Sequence, residues 1–165
     1  MPEMKAAKAI DGQPTWKDAA LPDLRTLAAS AERAPKLVNG ANTADDAVSL
    51  MRSALGIHPG GYVDIATKHE TVRINDSSLP HVVEKRSDQR ERFASMVIPT
   101  LERPTEVWSV KYGDGSTRNR YIKLFAGAKY DLLVMVKIEP DGSVFWNMMQ
   151  RDRKSMNKLR IGKLL

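Results

Sequence analysis

The sequence predicts an α+β domain in which N-terminal helices precede a four-stranded antiparallel meander and a short C-terminal helix. Two observations predict this order. Residues 43–56 carry an apolar stripe at helical spacing, and residues 106–149 alternate between apolar and polar side chains around the short turn sequences GDG, AGAKY and PDG. Connections this short join antiparallel strands. Helices would then cover one face of the sheet and leave the other face free for binding.

Residues 1–42 are predicted to form a leader or tether arm ahead of a domain at residues 43–165. The leader contains four prolines and no sustained apolar period, which is typical of an extended segment. Its stretch TWKDAALPDLRTLAA could dock as a short helix through four apolar side chains, namely Trp16, Leu21, Leu24 and Leu27.

The first regular helix is predicted at residues 43–56. Thr43 is suited to cap its N-terminus, with Asp46 three residues later, and Gly56 is suited to end it. Residues 60–75 then alternate as two short strands around a loop that holds His69.

A second helix is predicted to start after Pro80 and to run towards Pro99, with a new cap at Ser87. It contains LPHVVEKRSDQRERF, in which four residues would share one helix face: His81, Lys85, Asp88 and Arg92. A histidine can give or take a proton near neutral pH, and neighbouring cations can hold a phosphate. The motif therefore predicts a phosphate-handling edge, with Lys85, Arg86 and Arg90 as phosphate ligands. The alternative interpretation is an exposed surface of ion pairs.

The meander strands are predicted at residues 106–112, 119–126, 131–138 and 143–149, and a basic helix follows at 154–162. In RNRYIKLF, period-two alternation puts Ile122 and Leu124 on the core side and Tyr121 and Lys123 on the open side. There a hydroxyl and an ammonium could meet a phosphate, and Arg120 would reach the same edge if the strand bulged. An exposed polar strand face is the open alternative.

In the last strand, Trp146 and Asn147 are expected to point to opposite sides of the sheet. A tryptophan on an open face is a stacking platform for nucleic-acid bases, whereas a core position is the alternative. The C-terminal stretch adds Lys154 and Lys158 to a basic footprint that phosphates could contact.

The charge distribution favours a polyanionic partner. Residues 1–80 contain 9 lysines and arginines against 10 acidic residues, whereas residues 81–165 contain 17 against 10, and the net charge is +6. The absence of cysteine excludes thiol catalysis and cysteine–zinc sites. The sequence has no HExxH, Walker, GxSxG or GxGxxG motif and no metal-ligand spacing, so neither a cofactor nor a metal is predicted.

Three stretches occur in the order LPHVVEKRSDQRERFASMVIPTLERPTEVW, RYIKLF and NKLRIGKLL. With them the chain resembles the second phage subfamily of barnase–EndoU–colicin–RelE-like nucleases. Upstream, PTWKDAALPDLR and DDAVSLMRSALGI are similar to segments that precede such domains in phage head-morphogenesis proteins. The resemblance implies a barnase/RelE-like fold, metal-independent RNA cleavage, and site positions at His81, Arg86, Tyr121 and Lys123. At FWNMM the chain lacks the small hydroxyl residue of related chains, and Asn147 could stand in as a polar donor.

The expected function is that of an endoribonuclease, a toxin or effector domain of a phage or prophage protein. The ribose 2′-OH would attack the adjacent phosphate, with His81 as acid or base, Arg120 and Lys123 stabilising the phosphorane, and Tyr121 orienting the scissile group. The alternative is a non-catalytic module that binds nucleic acid or a phage-head component. A nucleotide-modifying enzyme such as an ADP-ribosyltransferase ranks last, because its Arg…Ser-x-Ser…Glu-x-Glu pattern is missing.

The expected partner is RNA, with tRNA as a candidate, and an immunity protein is a candidate second partner. We expect a monomer without membrane contact. Its expected location is the cytoplasm of a host bacterium, or the virion if the chain is part of a longer phage protein.

The basic half of the chain predicts a steep salt dependence of RNA binding. Because each neutralised phosphate releases counterions, several contacts should weaken the affinity of a cleavage-deficient variant about 10³-fold or more between roughly 50 and 200 mM salt. Fluorescence anisotropy with a labelled RNA measures the dissociation constant across this range. A flat response would contradict the electrostatic interpretation.

Overall fold

The computed structural model describes residues 7–165, with residues 28–30 described by their backbone alone, so the first six residues of the predicted leader lie outside the described residues. The strands are β1 (Glu32–Arg33), β2 (Tyr62–Ala66), β3 (Thr71–Asn75), β4 (Glu106–Lys111), β5 (Thr117–Lys123), β6 (Phe125–Ala126), β7 (Asp131–Glu139), β8 (Gly142–Arg151) and β9 (Lys163–Leu164). The α-helices are α1 (Ala44–Leu55), α2 (Leu79–Val83), α3 (Val97–Glu102) and α4 (Arg153–Asn157). Short 3-10 helices occupy Leu24–Ser30, Asp76–Ser78, Arg86–Asp88 and Arg90–Met96.

The sheet contains the predicted meander and is larger than predicted. Strands β4, β5, β7 and β8 pair antiparallel with their neighbours. The order of the full sheet is β2-β3-β8-β7-β5-β4-β9, in which β3 pairs in parallel with the start of β8. Strands β1 and β6 form a separate parallel pair. The α+β class is therefore confirmed, whereas the sheet is mixed rather than purely antiparallel.

Helix α1 forms as the sequence predicts. The Thr43 hydroxyl accepts a hydrogen bond from the backbone N–H of Asp46 at 3.1 Å, and Gly56 ends the helix in the left-handed conformation at a φ of 71°. The helix buries Met51 and Leu55 in a core that also contains residues of the β2–β3 hairpin, α2, α3 and one face of the sheet. Within residues 7–165, no helix is long and apolar enough to span a membrane.

The opposite face of the sheet, which we expected to be free, is partly covered by the leader. Leu24 is fully buried in a second core with Trp108, Ile122 and Leu133, and Trp16 packs against this core. The leader helix covers Leu24–Ser30, a 3-10 helix that begins later than the stretch we expected to dock. The leader also forms backbone hydrogen bonds with the C-terminal segment and with β4. We propose that its described part belongs to the folded unit.

The prediction of one long helix from Pro80 towards Pro99 is wrong. Helix α2 ends at Val83, and Gln89 adopts a left-handed conformation at a φ of 45° between two 3-10 helices. The cause is a buried ion pair: the Arg86 guanidinium turns inward to bind the fully buried Glu91 at 2.8 Å. The four residues expected on one helix face are His81, Lys85, Asp88 and Arg92. They are therefore distributed over α2, a bend at Lys85 and two separate 3-10 helices. Ser87 lies inside the first 3-10 helix and does not cap a new helix.

The helix predicted at residues 154–162 is shorter than expected and spans only α4. The side chain of Asp152 caps it by accepting a hydrogen bond from the backbone N–H of Ser155 at 2.8 Å. A turn follows at residues 158–159. Gly162, where the predicted helix would end, has a φ of 95°, and its Cα faces the carbonyl oxygen of Ser109 too closely for a side chain.

The leader packing predicts that Leu24→Ala destabilises the protein by about 2–5 kcal/mol, since it removes a fully buried side chain from the second core. Urea unfolding followed by circular dichroism measures the free energy of unfolding. Leu165→Ala is the matched control, because that leucine is 44% exposed and its loss should change stability by less than about 1 kcal/mol. Equal effects of the two substitutions would show that the leader is a tether.

Candidate active site

A pocket of about 560 Å³ opens on the leader side of the sheet. Six of its lining residues have polar or charged side chains, namely Lys8 of the leader, His81, Tyr112, Arg118, Arg120 and Asn147. The other lining residues are Met135, Trp146, Met149 and the leader residues Ala7 and Ala9. No carboxylate occurs among these described lining residues, so the pocket suits an anion. Within residues 7–165, no group of three or more His, Asp or Glu side chains could hold a metal ion.

Arg118 and Arg120 reach the pocket from the central strand β5, because every second residue of a strand points to the same face. The Arg118 guanidinium lies 4.2 Å from the Tyr112 ring centroid and 3.1 Å from an Asp114 carboxylate oxygen. Hydrogen bonds from Ser116, with a smaller contribution from Arg118, lower the pKa of Asp114 to about 2. The charge of Arg118 is therefore partly neutralised at one end of the pocket.

Arg120 is different, because no carboxylate lies within 4.0 Å of it in the described chain. It is 7% exposed, and its guanidinium donates to the Leu159 carbonyl at 2.9 Å and to the Tyr112 hydroxyl at 2.8 Å. A buried charge with only neutral partners is costly, and an anion in the pocket would offset that cost. Arg120 is thus the side chain best placed to hold a phosphate.

His81 lies on the rim of the same pocket because its neighbours anchor α2. Leu79, Val82 and Val83 are fully buried under the sheet, so the helix presents His81 outward. The imidazole is 60% exposed, and its Nδ1 lies 3.3 Å from a Glu84 carboxylate oxygen. This contact leaves Nε2 available for proton transfer.

A β-bulge brings Trp146 and Asn147 to the same side. Asn147 pairs with Met135 and Phe145 pairs with Val136, so Trp146 is an extra residue without a partner in β7. Both side chains then line the pocket, and the prediction that they point to opposite sides is wrong. The bulge therefore adds an aromatic wall and an amide to one site.

Tyr121 lies on the opposite face of β5, inside the helix-side core, and not on an open face as predicted. Its hydroxyl donates to a Glu70 carboxylate oxygen at 2.6 Å and lies 2.9 Å from the Thr67 hydroxyl. Burial, with the Glu70 charge, raises the pKa of Tyr121 well above its ordinary value. This tyrosine stays protonated and links the β2–β3 hairpin to the sheet.

Lys123 is also on that face, and the prediction of an open position is wrong for it too. Its ammonium group is bound to the Arg103 carbonyl at 2.5 Å and lies 3.4 Å from a Glu32 carboxylate oxygen. Hydrogen bonds from Arg103, assisted by the charge of Lys123, lower the pKa of Glu32 to about 2. No bulge in β5 brings Arg120 to the side of Tyr121 and Lys123.

The remaining predicted phosphate ligands fall into three groups. Arg86 binds Glu91 and donates to the carbonyls of Ala41 and Val83. Its guanidinium therefore binds other parts of the protein rather than lining the pocket. Lys85, Lys154 and Lys158 are exposed and do not line the pocket. Arg90 reaches the site indirectly, because it donates to Asn147 Oδ1 at 2.8 Å.

Sequence reasoning missed Tyr112 and Arg118 as site residues. Arg118 could have been found, because alternation puts it on the same strand face as Arg120, which we did consider. We assigned that face to the core because Ile122 and Leu124 share it. Tyr112 follows the end of β4 and offered no comparable signal.

The architecture and the pocket together define an α+β domain with a basic pocket suited to an anion. The chain belongs to a specific family of this kind: the model of the phage-Barnase-EndoU-ColicinE5/D-RelE like nuclease2 family matches residues 52–165. Searches of curated proteins and of solved structures found no match. The family confirms the resemblance stated from the sequence and places the chain among phage-associated nuclease domains, that is, among hydrolases of nucleic acid.

The ion pair of Arg86 with the buried Glu91 predicts a structural role for Arg86. Arg86→Met should destabilise the protein by about 3–5 kcal/mol, because Glu91 would remain as a buried carboxylate without its cation. The ion pair lowers the pKa of Glu91, so its contribution is present above the unfolded-state pKa and is lost as the pH falls through the lower folded-state pKa.

Urea unfolding at pH 7 and at acidic pH measures this effect, and Lys85→Met, at an exposed neighbouring position, is the control with little expected change. The difference in stability between wild type and Arg86→Met should shrink at acidic pH. Unchanged stability of Arg86→Met at pH 7 would contradict the structural assignment.

Proposed function

We propose that the chain is a metal-independent endoribonuclease, an effector domain of a phage or prophage protein, with its active site in the pocket of Arg118, Arg120 and His81. One observation carries the proposal: two arginines that are less than a tenth exposed face a carboxylate-free pocket, and a histidine lies on its rim. Fixed cations and a side chain that can give or take a proton are the components that phosphodiester cleavage by internal attack uses.

In the proposed reaction, a base removes the proton from the ribose 2′-OH, and the oxygen attacks the adjacent phosphorus. The bond from phosphorus to the 5′-oxygen breaks, and this oxygen receives a proton. The products are a 2′,3′-cyclic phosphate and a free 5′-hydroxyl. His81 acts as the acid or the base through Nε2, and Arg120 stabilises the charge that develops on the non-bridging phosphate oxygens.

Arg118 and Trp146 bind the nucleotide around the scissile bond in this proposal. The Trp146 ring lies 5.2 Å from the Arg118 guanidinium and forms part of the wall with Met135 and Met149. An aromatic side chain in such a wall can stack with a base. Tyr121 and Lys123 have no part in the mechanism, because they bind other residues on the far side of the sheet.

Cleavage is expected in EDTA, and His81→Ala should reduce its rate by about 10²–10⁴-fold, because proton transfer is lost. Arg120→Lys should reduce it by about 10²-fold or more, since an ammonium cannot reproduce the planar guanidinium. The measurement is the single-turnover rate on one RNA, with the thermal midpoint checked for each variant.

His58→Ala is the matched control, because His58 is exposed and does not line the pocket. Cleavage by wild type and His81→Ala at equal rates would refute the role of His81. RNA binding without any cleavage by the wild type would instead favour the non-catalytic nucleic-acid-binding module.

A further inference from the structure

We infer that Asn147 makes the pocket selective for bases that carry a keto oxygen at C4 of a pyrimidine or C6 of a purine, namely uracil and guanine, over cytosine and adenine, which carry an amino group at that position. The inference rests on the proposed function for the cleavage reaction, but base binding by the pocket can be measured without cleavage. It concerns the orientation of the Asn147 side-chain amide, that is, whether its oxygen or its NH₂ group faces a ligand, and the neighbours that determine this orientation.

The orientation of the Asn147 amide is determined by two neighbours that can only donate. The Arg90 guanidinium donates to Asn147 Oδ1 at 2.8 Å, and the backbone N–H of Met148 donates to the same oxygen at 2.8 Å. A flipped amide would place its N–H groups against both donors, so the flipped orientation is excluded. Arg90 is thereby a positioning residue for the site.

The Asn147 Nδ2 group therefore remains as the one that can bind a ligand. It donates no hydrogen bond to the rest of the described chain, and it is not among the buried unpaired atoms, so it is accessible to the pocket that Asn147 lines. This N–H group can satisfy an acceptor such as uracil O4 or guanine O6. Opposite an exocyclic amino group, two donors would face each other and both would lose their hydrogen bonds.

Apart from His81, which the proposed reaction uses for proton transfer, the rest of the pocket offers an amino group no better partner among its side chains. Arginines are donors only, and none of the described lining residues is an aspartate or glutamate. The walls include the apolar side chains of Met149 and Trp146, which would shield part of a bound base from water. Unpaired polar groups in such a site discriminate strongly between substrates.

The test is the equilibrium binding of 3′-UMP and 3′-CMP to the full chain, with 3′-GMP and 3′-AMP as the purine pair, by isothermal titration calorimetry. The two members of each pair have the same phosphate and similar size. The ratio of their dissociation constants therefore reports the effect of the functional groups on the base. We expect the keto base of each pair to bind about 10-fold more tightly. Equal binding within the pairs, or no binding of any nucleotide, would overturn the inference.

Two substitutions test whether Asn147 causes the preference. Asn147→Ala should bring the ratio close to one, and Asn147→Asp should invert it, because its free oxygen would accept from the amino group of cytosine. Asn39→Asp is the matched control, since it makes the same change at an exposed position outside the pocket and should keep the wild-type ratio. A wild-type preference retained in Asn147→Ala would also overturn the inference.

Cleavage is measured in parallel on RNAs that differ only in one U or C. If the keto bases bind preferentially and no RNA is cleaved, the proposed function fails while the inference stands. If RNA is cleaved equally at both bases and the nucleotides bind equally, the inference fails while the proposed function stands.

Discussion

Strands β5 and β7 are buried on both faces, and the rest of the structure depends on this constraint. One face lies under the helices and the other under the leader. A buried polar side chain on such a strand needs a partner, because leaving it unpaired costs about 1–3 kcal/mol. Tyr121 finds its partner in Glu70 and Lys123 in the Arg103 carbonyl, whereas Arg120 finds only neutral oxygens. The candidate site lies where the protein leaves a buried charge without a counterion.

The Arg86–Glu91 ion pair determines how the segment beside this site is arranged. Glu91 also accepts from the backbone N–H of Ala41, so the pair joins the end of the leader to the segment after α2. The resulting turn ends α2 just after His81 and directs Arg90 towards Asn147. A pair that contacts no ligand thus positions both the rim histidine and the amide that we propose to select the base.

The parts of the fold that follow from local signals were predicted correctly. Thr43 and Gly56 delimit α1, and short turn sequences order the meander, because capping and tight turns involve residues that are close in sequence. The helix beyond Val83 was predicted wrongly, since its interruption depends on Ala41, which lies far away in the sequence. Helical periodicity cannot reveal a contact of that range.

The site was predicted in part for a related reason. Strand alternation correctly separates Arg120 from Tyr121, but it does not say which face a leader covers or where a pocket remains. We chose the wrong face for Tyr121 and Lys123, because apolar residues beside Arg120 indicated a core there. That core is real and contains Ile122, whereas Arg120, the next residue on the same face of β5, lines the pocket.

The side chains of the site belong to secondary-structure elements that differ in rigidity, and we propose that they therefore have different roles. Arg118 and Arg120 are on a central strand that is paired on both sides, so their positions are fixed. Asn147 is held by Arg90 at a bulge. His81 is on a short helix and its side chain is 60% exposed. The side chain that we propose to transfer a proton can therefore adjust its position, while the groups that we propose to bind the phosphate and the base keep their geometry.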